Sequence, residues 1–266
     1  MEPQPPPLDL VDTHCHLAFE GFDADRDVVA ARARQAGVSA CVVVGVDVGS
    51  SQAALRLSEA HPGWAFATAG IHPTEEAVLD ESRWPPIREL LGSRGFVAVG
   101  ETGLDDFHKR TSLDAQAASL HRHVAAAVEL GLPVVLHCRD AFPRLLAELE
   151  RWRGSGLRGV LHCFTGGSRE ADALLGLGLH LGLGGAATYR PNAELRAAVR
   201  AAPVERLVLE TDAPWLAPQP VRGRRNEPAF VAHVATALAD DRGMDRAGFA
   251  AATSAAARSL FGLPAP

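Results

Sequence analysis

Short runs of apolar residues recur along this chain, and each is followed by an alanine- and leucine-rich stretch with helical spacing. Apolar runs without a solvated face predict strands that are covered by helices on both sides of a parallel sheet. We predict eight such strands, at 8–13, 39–46, 64–71, 95–101, 132–137, 158–162, 178–184 and 205–211. Eight strand–helix units close most simply into a (β/α)8 TIM barrel. An open doubly wound sheet is the main alternative, since a strand count from sequence is uncertain by about one.

The chain of 266 residues contains no linker or low-complexity segment, so we predict one barrel domain over residues 8–266. Residues 1–7 are expected to form a disordered lead-in, and the stretch from Met244 to Phe261 a final helix. No apolar run reaches the ~18 residues of a membrane span, and the start does not resemble a signal peptide. Four cysteines without disulfide-like spacing favour a reducing compartment. We expect a cytoplasmic protein, as a monomer.

The net charge of −6 argues against a broad basic surface that coats nucleic acid. It is compatible with a small anionic substrate or a local basic patch. Almost all the positive charge is arginine, because Lys109 is the only lysine.

Titratable side chains collect at the carboxyl ends of the predicted strands, which is where barrel enzymes place their chemistry. They are His14, His16, Glu101, His137, His162 and Asp212. Burial of so many imidazoles and carboxylates at the mouth of one core is costly unless they share a partner. These groups are suitable ligands for one or two divalent ions such as Zn²⁺ or Mn²⁺. The sequence therefore predicts a metal centre at this mouth.

Three of the cysteines, Cys15, Cys138 and Cys163, each directly follow a candidate ligand histidine. Because side chains alternate along a strand, we expect these thiols to face the helices as small buried apolar groups, and Cys41 to do the same. A thiolate site is the less favoured alternative.

A second His-x-His pair, His121 and His123, lies in a predicted helix, where residues two apart point in different directions. These two cannot converge on one ion, so we expect solvent-facing or helix-packing roles. The other histidines outside the site are interpreted as ordinary surface or packed residues: His61, His108, His180 and His233.

The chain resembles the TatD-related metal-dependent deoxyribonucleases, a branch of the amidohydrolase-like barrels. The matching stretches are DTHCHL, GIHP, VAVGETGLD, LPVVLHCRDA, GVLHCFTG, LETDAPWLAP, RGRRNEP and AARSLFGL. The resemblance implies a barrel, two metal positions and hydrolysis of DNA phosphodiesters, often from the 3′ end of single strands. It further implies that His14, His16 and Asp212 hold one metal and that Glu101 bridges to a second, held by His137 and His162.

Phosphodiester hydrolysis needs a nucleophilic water and charge neutralisation, which two divalent ions supply together. The metal identity stays open among Mg²⁺, Mn²⁺ and Zn²⁺. Asp212 suits the role of general base, and Glu101 that of the catalytic bridge. Glu210 and Asp12, each two residues from a ligand, are expected either to hydrogen-bond a ligand histidine or to form a plain buried salt link.

The resemblance also implies that His72 and the arginines Arg222 and Arg224 lie near the substrate phosphate. A solvated charge run is the other interpretation of those arginines. Arg139 is a further phosphate candidate, and Asp105 is either a loop cap or a contact to the substrate, with the active-site role preferred. Asp106 departs from the family pattern, which usually has an aromatic residue there.

Other barrel hydrolases bridge their metals with a carbamylated lysine on strand four, but Lys109 lies in the loop beyond that strand. Phosphoesterase barrels that finish with Asp-x-His are also disfavoured, because no such histidine follows Asp212. Two alternatives stay open: a metal-dependent hydrolase of another ester such as aminoacyl-tRNA, and a non-catalytic barrel that binds nucleic acid.

Overall fold

In the computed structural model, which describes residues 8–266, eight parallel strands form one sheet in sequential order. The strands are β1 (Leu10–Cys15), β2 (Val38–Val43), β3 (Ala65–Ala69), β4 (Phe96–Asp105), β5 (Val134–Arg139), β6 (Gly159–Leu161), β7 (Leu179–Leu183) and β8 (Leu207–Leu209). Sequential order with every pair parallel is the arrangement of the predicted (β/α)8 barrel, and it excludes the doubly wound alternative.

Helices connect the strands and cover the sheet. Within the described chain the α-helices are α1 (Arg26–Gln35), α2 (Val48–Ala60), α3 (Trp84–Gly92), α4 (Leu113–Leu130), α5 (Phe142–Glu150), α6 (Ser168–Gly176), α7 (Ala193–Ala201), α8 (Val231–Arg242) and α9 (Arg246–Phe261). Local signals set several of their ends. Ser112 caps α4 by accepting a hydrogen bond from the Ala115 N–H, and Gly131 ends that helix in a left-handed conformation.

The barrel closes between β1 and the segment that follows β8. The Asp212 N–H donates to the His14 carbonyl over 2.8 Å, and the His16 N–H donates to the Ala213 carbonyl over 2.8 Å. Cys15 and Ala213 form a parallel bridge at the same place. The seam of the barrel therefore lies at two of the sequence stretches that carry candidate ligands.

Two apolar layers lie on either side of the strands. The larger layer joins the outer faces of the strands to the surrounding helices. The smaller layer fills the barrel interior with one small or branched residue from most strands, and α9 covers it through Ala257, Leu260 and Phe261. The predicted final helix thus closes the end of the barrel opposite the candidate site.

Strand β4 extends further than predicted, to Asp105, so that Glu101 lies inside the strand instead of at its end. Gly103 permits this extension, because its φ is +145° and an added Cβ would lie 2.0 Å from the His137 carbonyl oxygen. The close approach of β4 and β5 brings Glu101 and His137 together.

The predicted lead-in, residues 1–7, lies outside the described residues. Across residues 8–266, the helices are all too short or too polar to cross a membrane.

Candidate active site

The closure seam brings the first group of predicted ligands together. The His14 Nε2 and His16 Nε2 atoms are 3.2 Å apart. Asp212 Oδ1 lies 3.7 Å from His14 Nε2 and 3.5 Å from His16 Nε2. Glu101 Oε2 completes this group at 3.4 Å from His14 Nε2 and 3.9 Å from His16 Nε2. Four donor atoms from three separate stretches of the chain therefore face one point.

A second group forms around the other oxygen of the same glutamate. Glu101 Oε1 lies 2.8 Å from His162 Nε2 and 3.1 Å from His137 Nδ1, and these two nitrogens are 3.2 Å apart. His72 Nε2 is also 3.4 Å from Glu101 Oε1. The rings of His14 and His162 stack at 3.9 Å, which packs the two groups side by side.

The donor set fits a pair of divalent ions. Ligands held about 2.0–2.1 Å from a tetrahedral Zn²⁺ lie about 3.4 Å from one another, close to the spacings in both groups. Imidazole nitrogens here face other imidazole nitrogens, while the Nδ1 atoms of His14, His16 and His162 are buried without a hydrogen-bond partner. Lone pairs converging in this way suit a shared cation better than a hydrogen-bond network. Glu101 has one carboxylate oxygen toward each group.

The charges in the site depend on one another. Burial alone would raise the pKa of Glu101, but the imidazoles of His162, His72 and His14 hold it well below its usual value. Burial likewise opposes ionisation of Asp212, yet its pKa is lowered by a hydrogen bond with His16 and by the nearby His14. Both carboxylates are therefore ionised, which is the form that binds a cation.

A carboxylate behind His137 orients that ring. The Asp105 Oδ2 atom lies 3.0 Å from His137 Nε2, which leaves Nδ1 directed at Glu101. Asp105 also accepts hydrogen bonds from the backbone N–H and the ring of His108. Burial works against the ionised form, but these hydrogen bonds lower the pKa of Asp105 strongly. The structure thus places Asp105, the last residue of β4, against a candidate ligand histidine, where it is 1% exposed.

Glu210 and Asp12, the acidic residues two positions from a candidate ligand, have different hydrogen-bond partners. The Glu210 Oε1 atom accepts the Cys163 N–H over 2.5 Å and lies 3.7 Å from His162 Nδ1. Gly182 makes room for it, since a Cβ there would lie 2.5 Å from Glu210 Oε2. Asp12 instead accepts hydrogen bonds from the Thr211 N–H and hydroxyl and from the His14 backbone N–H, so it supports the seam and not an imidazole.

Three of the four cysteines behave as predicted. Cys15 and Cys41 are fully buried, and Cys138 packs against the same layer between strands and helices. Burial raises the pKa of the Cys138 thiol to about 12. The pKa of Cys163 is also raised well above its usual value, by burial and then by nearby Asp212, which disfavours a thiolate ligand there.

The helical histidine pair also follows the prediction. His123 is fully buried, accepts the Ile71 N–H over 2.9 Å and donates to the Ser119 carbonyl over 2.8 Å. His121 instead contacts Glu148 over 2.8 Å. The two rings serve separate helix-packing contacts.

The two ligand groups form the floor of a cleft of about 600 Å³. Of the predicted substrate contacts, His72 and Arg139 line this cleft. Within the described chain Arg222 and Arg224 are not among its lining residues; their guanidinium groups stack on Tyr189 and Phe230.

Sequence reasoning missed several residues of the cleft wall, namely Phe19, Glu75, His108, Arg110 and Trp215. His108 in particular was interpreted as an ordinary histidine. These residues lie on loops between strands and helices, where hydrophobic periodicity carries no signal. The sequence pointed to only one of these residues: Trp215, in APW, is an aromatic residue close to a candidate ligand.

Comparison with known proteins agrees with this geometry. The family model of the TatD related DNases matches residues 11–262. Relatives named 3′-5′ ssDNA/RNA exonuclease TatD include a protein of Erwinia tasmaniensis, 40% identical, and one of Pectobacterium parmentieri, 36% identical. Each alignment spans 96% of this chain and the whole of the relative.

Among solved structures, a TatD homolog from Escherichia coli K12 (YJJV) superposes with a TM-score of 0.90 at 30% identity, over 97% of this chain and 99% of the other. A hydrolase TatD family protein from Entamoeba histolytica shares the fold, with a TM-score of 0.86 at 20% identity, over 97% of this chain and 99% of that one. The predicted resemblance is confirmed: this chain belongs to the family of TatD related DNases.

Proposed function

We propose that this protein is a metal-dependent nuclease that hydrolyses phosphodiester bonds of single-stranded nucleic acid, DNA above all, from the 3′ end. The observation that carries the proposal is the position of Glu101, whose two oxygens face two separate groups of imidazoles. Relatives 40% identical over their whole length are named 3′-5′ ssDNA/RNA exonucleases, which supports the same substrate class.

In this proposal His14, His16 and Asp212 would hold one divalent ion, His137 and His162 would hold the other, and Glu101 would be a ligand shared by both. Two such ions activate water and neutralise charge on the phosphoryl oxygens. Asp212, with a side chain 13% exposed at the cleft floor, accepts the proton of the attacking water. Glu101 keeps the two ligand groups at a constant separation.

The cleft wall supplies the contacts to the substrate. Arg139 and Arg110 both line the cleft, and guanidinium groups match the oxygens of a phosphate. His72 lies beside Glu101, where its ring can donate to a phosphoryl oxygen. We assign the phosphate contacts to these three residues because they line the cleft, whereas Arg222 and Arg224 are not among its lining residues.

The shape of the cleft favours the end of one strand. A volume of about 600 Å³ is that of a pocket for one small ligand. Such a pocket suits a terminal nucleotide, which supports the proposal that the end of a single strand enters the cleft.

The test is cleavage by the purified protein with Mg²⁺, Mn²⁺ or Zn²⁺ of single-stranded DNA, duplex DNA and RNA, each labelled at either end. We expect stepwise shortening of single-stranded DNA from the 3′ end. Glu101→Gln, which keeps the shape and removes the charge of the bridge, should lower the rate by about 10³-fold or more. Glu59→Gln, the same change on an exposed face of α2, is the matched control and should cleave normally.

Undiminished cleavage by Glu101→Gln would place the nuclease activity at another site or in another protein. Hydrolysis of aminoacyl-tRNA together with inertness toward DNA would replace the nuclease proposal with ester hydrolysis on the same metals.

We also propose a cytoplasmic location and a monomeric state. The location is supported by the four free cysteines, two of which, Cys15 and Cys41, lie with their sulfur atoms 3.1 Å apart as thiols.

A further inference from the structure

Large apolar side chains are exposed around the active-site cleft. Within residues 8–266 the exposed ones are Val28, Leu79, Phe107, Trp215 and Leu216. Trp215 and Leu216 line the cleft, and Phe107 adjoins His108, which also lines it. An exposed aromatic residue at the rim of a functional cleft marks a place where a ligand covers it. Trp215 is 49% exposed and Phe107 is 52% exposed.

Trp215 stands beside the first ligand group. Its ring lies 5.0 Å from the ring of His16 and 5.8 Å from that of Phe19, edge to face in both cases. Its backbone is held from both sides, since its N–H donates to Asp212 and its carbonyl accepts from the Asn226 side chain. The tryptophan is therefore a rigid flat surface directly next to the metal ligands.

Phe107 is linked to the second ligand group through His108 and Asp105. Its ring lies 5.0 Å from His108, which bonds the same Asp105 carboxylate that orients His137. The guanidinium carbon of Arg139 sits 3.9 Å from the centre of the Phe107 ring. The two form a stacked cationic and aromatic pair at the cleft edge.

We propose that Trp215 and the Phe107–Arg139 pair are two nucleobase-stacking subsites, one on each side of the ligand groups. They hold successive bases of a single strand while the phosphate between them reaches the floor of the cleft. This proposal rests on the proposed nuclease function and extends it to how the substrate is recognised.

These surfaces are suited to stacking on a nucleobase, but they do not select one base over another. Aromatic rings and guanidinium planes stack on any base, because every base has a π-face. Arg139 adds positive charge beside the sugar–phosphate chain in a protein with a net charge of −6. Recognition by stacking therefore predicts affinity for unpaired strands of any sequence.

The experiment compares two fluorescein-labelled oligothymidylates of equal length, one of them abasic at its last two 3′ positions. Binding is followed by fluorescence anisotropy, with the metal removed by a chelator so that neither strand is cut. The wild-type protein should bind the complete strand roughly a hundredfold tighter than the abasic one, since stacking contributes about a factor of ten for each of the two missing bases.

Trp215→Ala and Phe107→Ala should each reduce this preference several-fold, and the double variant should bind both strands alike. Trp215→Phe, which keeps a flat ring, should retain most of the preference. Val28→Ala removes an equally exposed apolar side chain from α1 and should leave the preference unchanged.

The outcomes separate the two proposals. Equal binding of both strands by the wild-type protein would overturn the stacking subsites, even if the metal-loaded enzyme digests DNA. A loss of affinity for both strands by the same factor in Trp215→Ala would also overturn them, because it indicates a structural role beside His16. A strong preference for bases in a protein that cleaves no nucleic acid would keep the subsites and overturn the nuclease function.

Discussion

The pairing of Asp105 with His137 shows how a single residue sets the direction of a ligand. An imidazole has two nitrogens, and the one that faces the metal is determined by the hydrogen bond of the other. The pKa of His137, which burial alone would lower, is raised by its hydrogen bonds with Asp105 and Glu101. Asp105 thus acts as a positioning residue.

Asp105→Asn tests that role. We expect the affinity for the more weakly bound of the two metal ions to fall by about 10–100-fold, because the ring of His137 loses its charged partner. Calorimetric titration of the metal-free protein with Mn²⁺ measures this directly. Asp106→Asn is the control, since it makes the same change one residue along, where the side chain is partly exposed. Identical titrations of Asp105→Asn and the wild type would show that Asp105 only caps the loop that follows β4.

His123 makes the stability of the protein depend on pH. Burial, together with nearby Arg122, lowers its pKa from 6.5 to about 4, although its hydrogen bond to Ser119 works the other way. Below pH 6.5 the unfolded chain binds a proton that the folded protein excludes. Stability should therefore fall as the pH drops, by up to about 3 kcal/mol once the pH reaches the folded pKa.

The measurement is urea unfolding of the wild type and His123→Gln at pH 7 and pH 5. The variant should be the less stable protein at pH 7, because the contacts to Ile71 and Ser119 are weakened. The difference in the free energy of unfolding between the wild type and the variant should be smaller at pH 5. A difference that is the same at both pH values would mean that His123 does not carry this dependence.

At the scale of elements, α9 determines how the barrel interior ends. Leu260 and Phe261 are 3% exposed and pack against the interior residues of the strands. A helix that fills the open end of a barrel removes apolar surface that no strand can cover. Most of its stabilising effect should come from these two large side chains.

Phe261→Ala should lower the free energy of unfolding by about 3–5 kcal/mol, as expected for a buried phenylalanine. Urea unfolding at pH 7 provides the measurement. Phe107→Ala removes the same ring from an exposed position and should change stability by no more than about 0.5 kcal/mol. Equal effects of the two substitutions would contradict the assignment of α9 as the closing element.

Strand prediction succeeded where apolar runs were continuous and failed where polar residues continued a strand. β4 extends through Thr102 to Asp105 because β5 pairs with it there, which hydropathy does not reveal. β8 is shorter than predicted and ends at Leu209, since the chain then turns into the closure seam. The ends of the strands are thus decided by their neighbours.

At the scale of the whole molecule, the candidate ligands come from five strands or the residues that directly follow them, and they meet at one end of the barrel. Imidazoles and carboxylates buried together disfavour folding unless a cation joins them. Any ion that binds only the folded protein stabilises it by mass action, by about 2.7 kcal/mol at a concentration of 100 times Kd.

Thermal unfolding with and without Mn²⁺ or Zn²⁺, at an ionic strength matched with KCl, tests this link. We expect the divalent ion to raise the Tm of the wild type and a chelator to reverse the increase. Glu101→Gln should show a smaller increase, because the bridge contributes to both ion positions. A Tm that does not respond to divalent ions would contradict a two-metal centre.

The sequence by itself determined the strand–helix repeat, the family, the candidate ligands and the inert position of most cysteines. The repeat, the ligands and the cysteine positions follow from local pattern, because side chains alternate along strands and barrel chemistry gathers at strand ends, whereas the family follows from the resemblance of several motifs. Only the tertiary structure placed Asp105 behind His137, engaged Arg222 and Arg224 with aromatic rings, and set Trp215 in the cleft wall and Phe107 beside His108. These positions depend on loop paths, such as the left-handed backbone of Asp212 at φ 58°, and on contacts between distant segments. Such contacts form only when the barrel closes, so the hydrophobic periodicity of the sequence does not predict them.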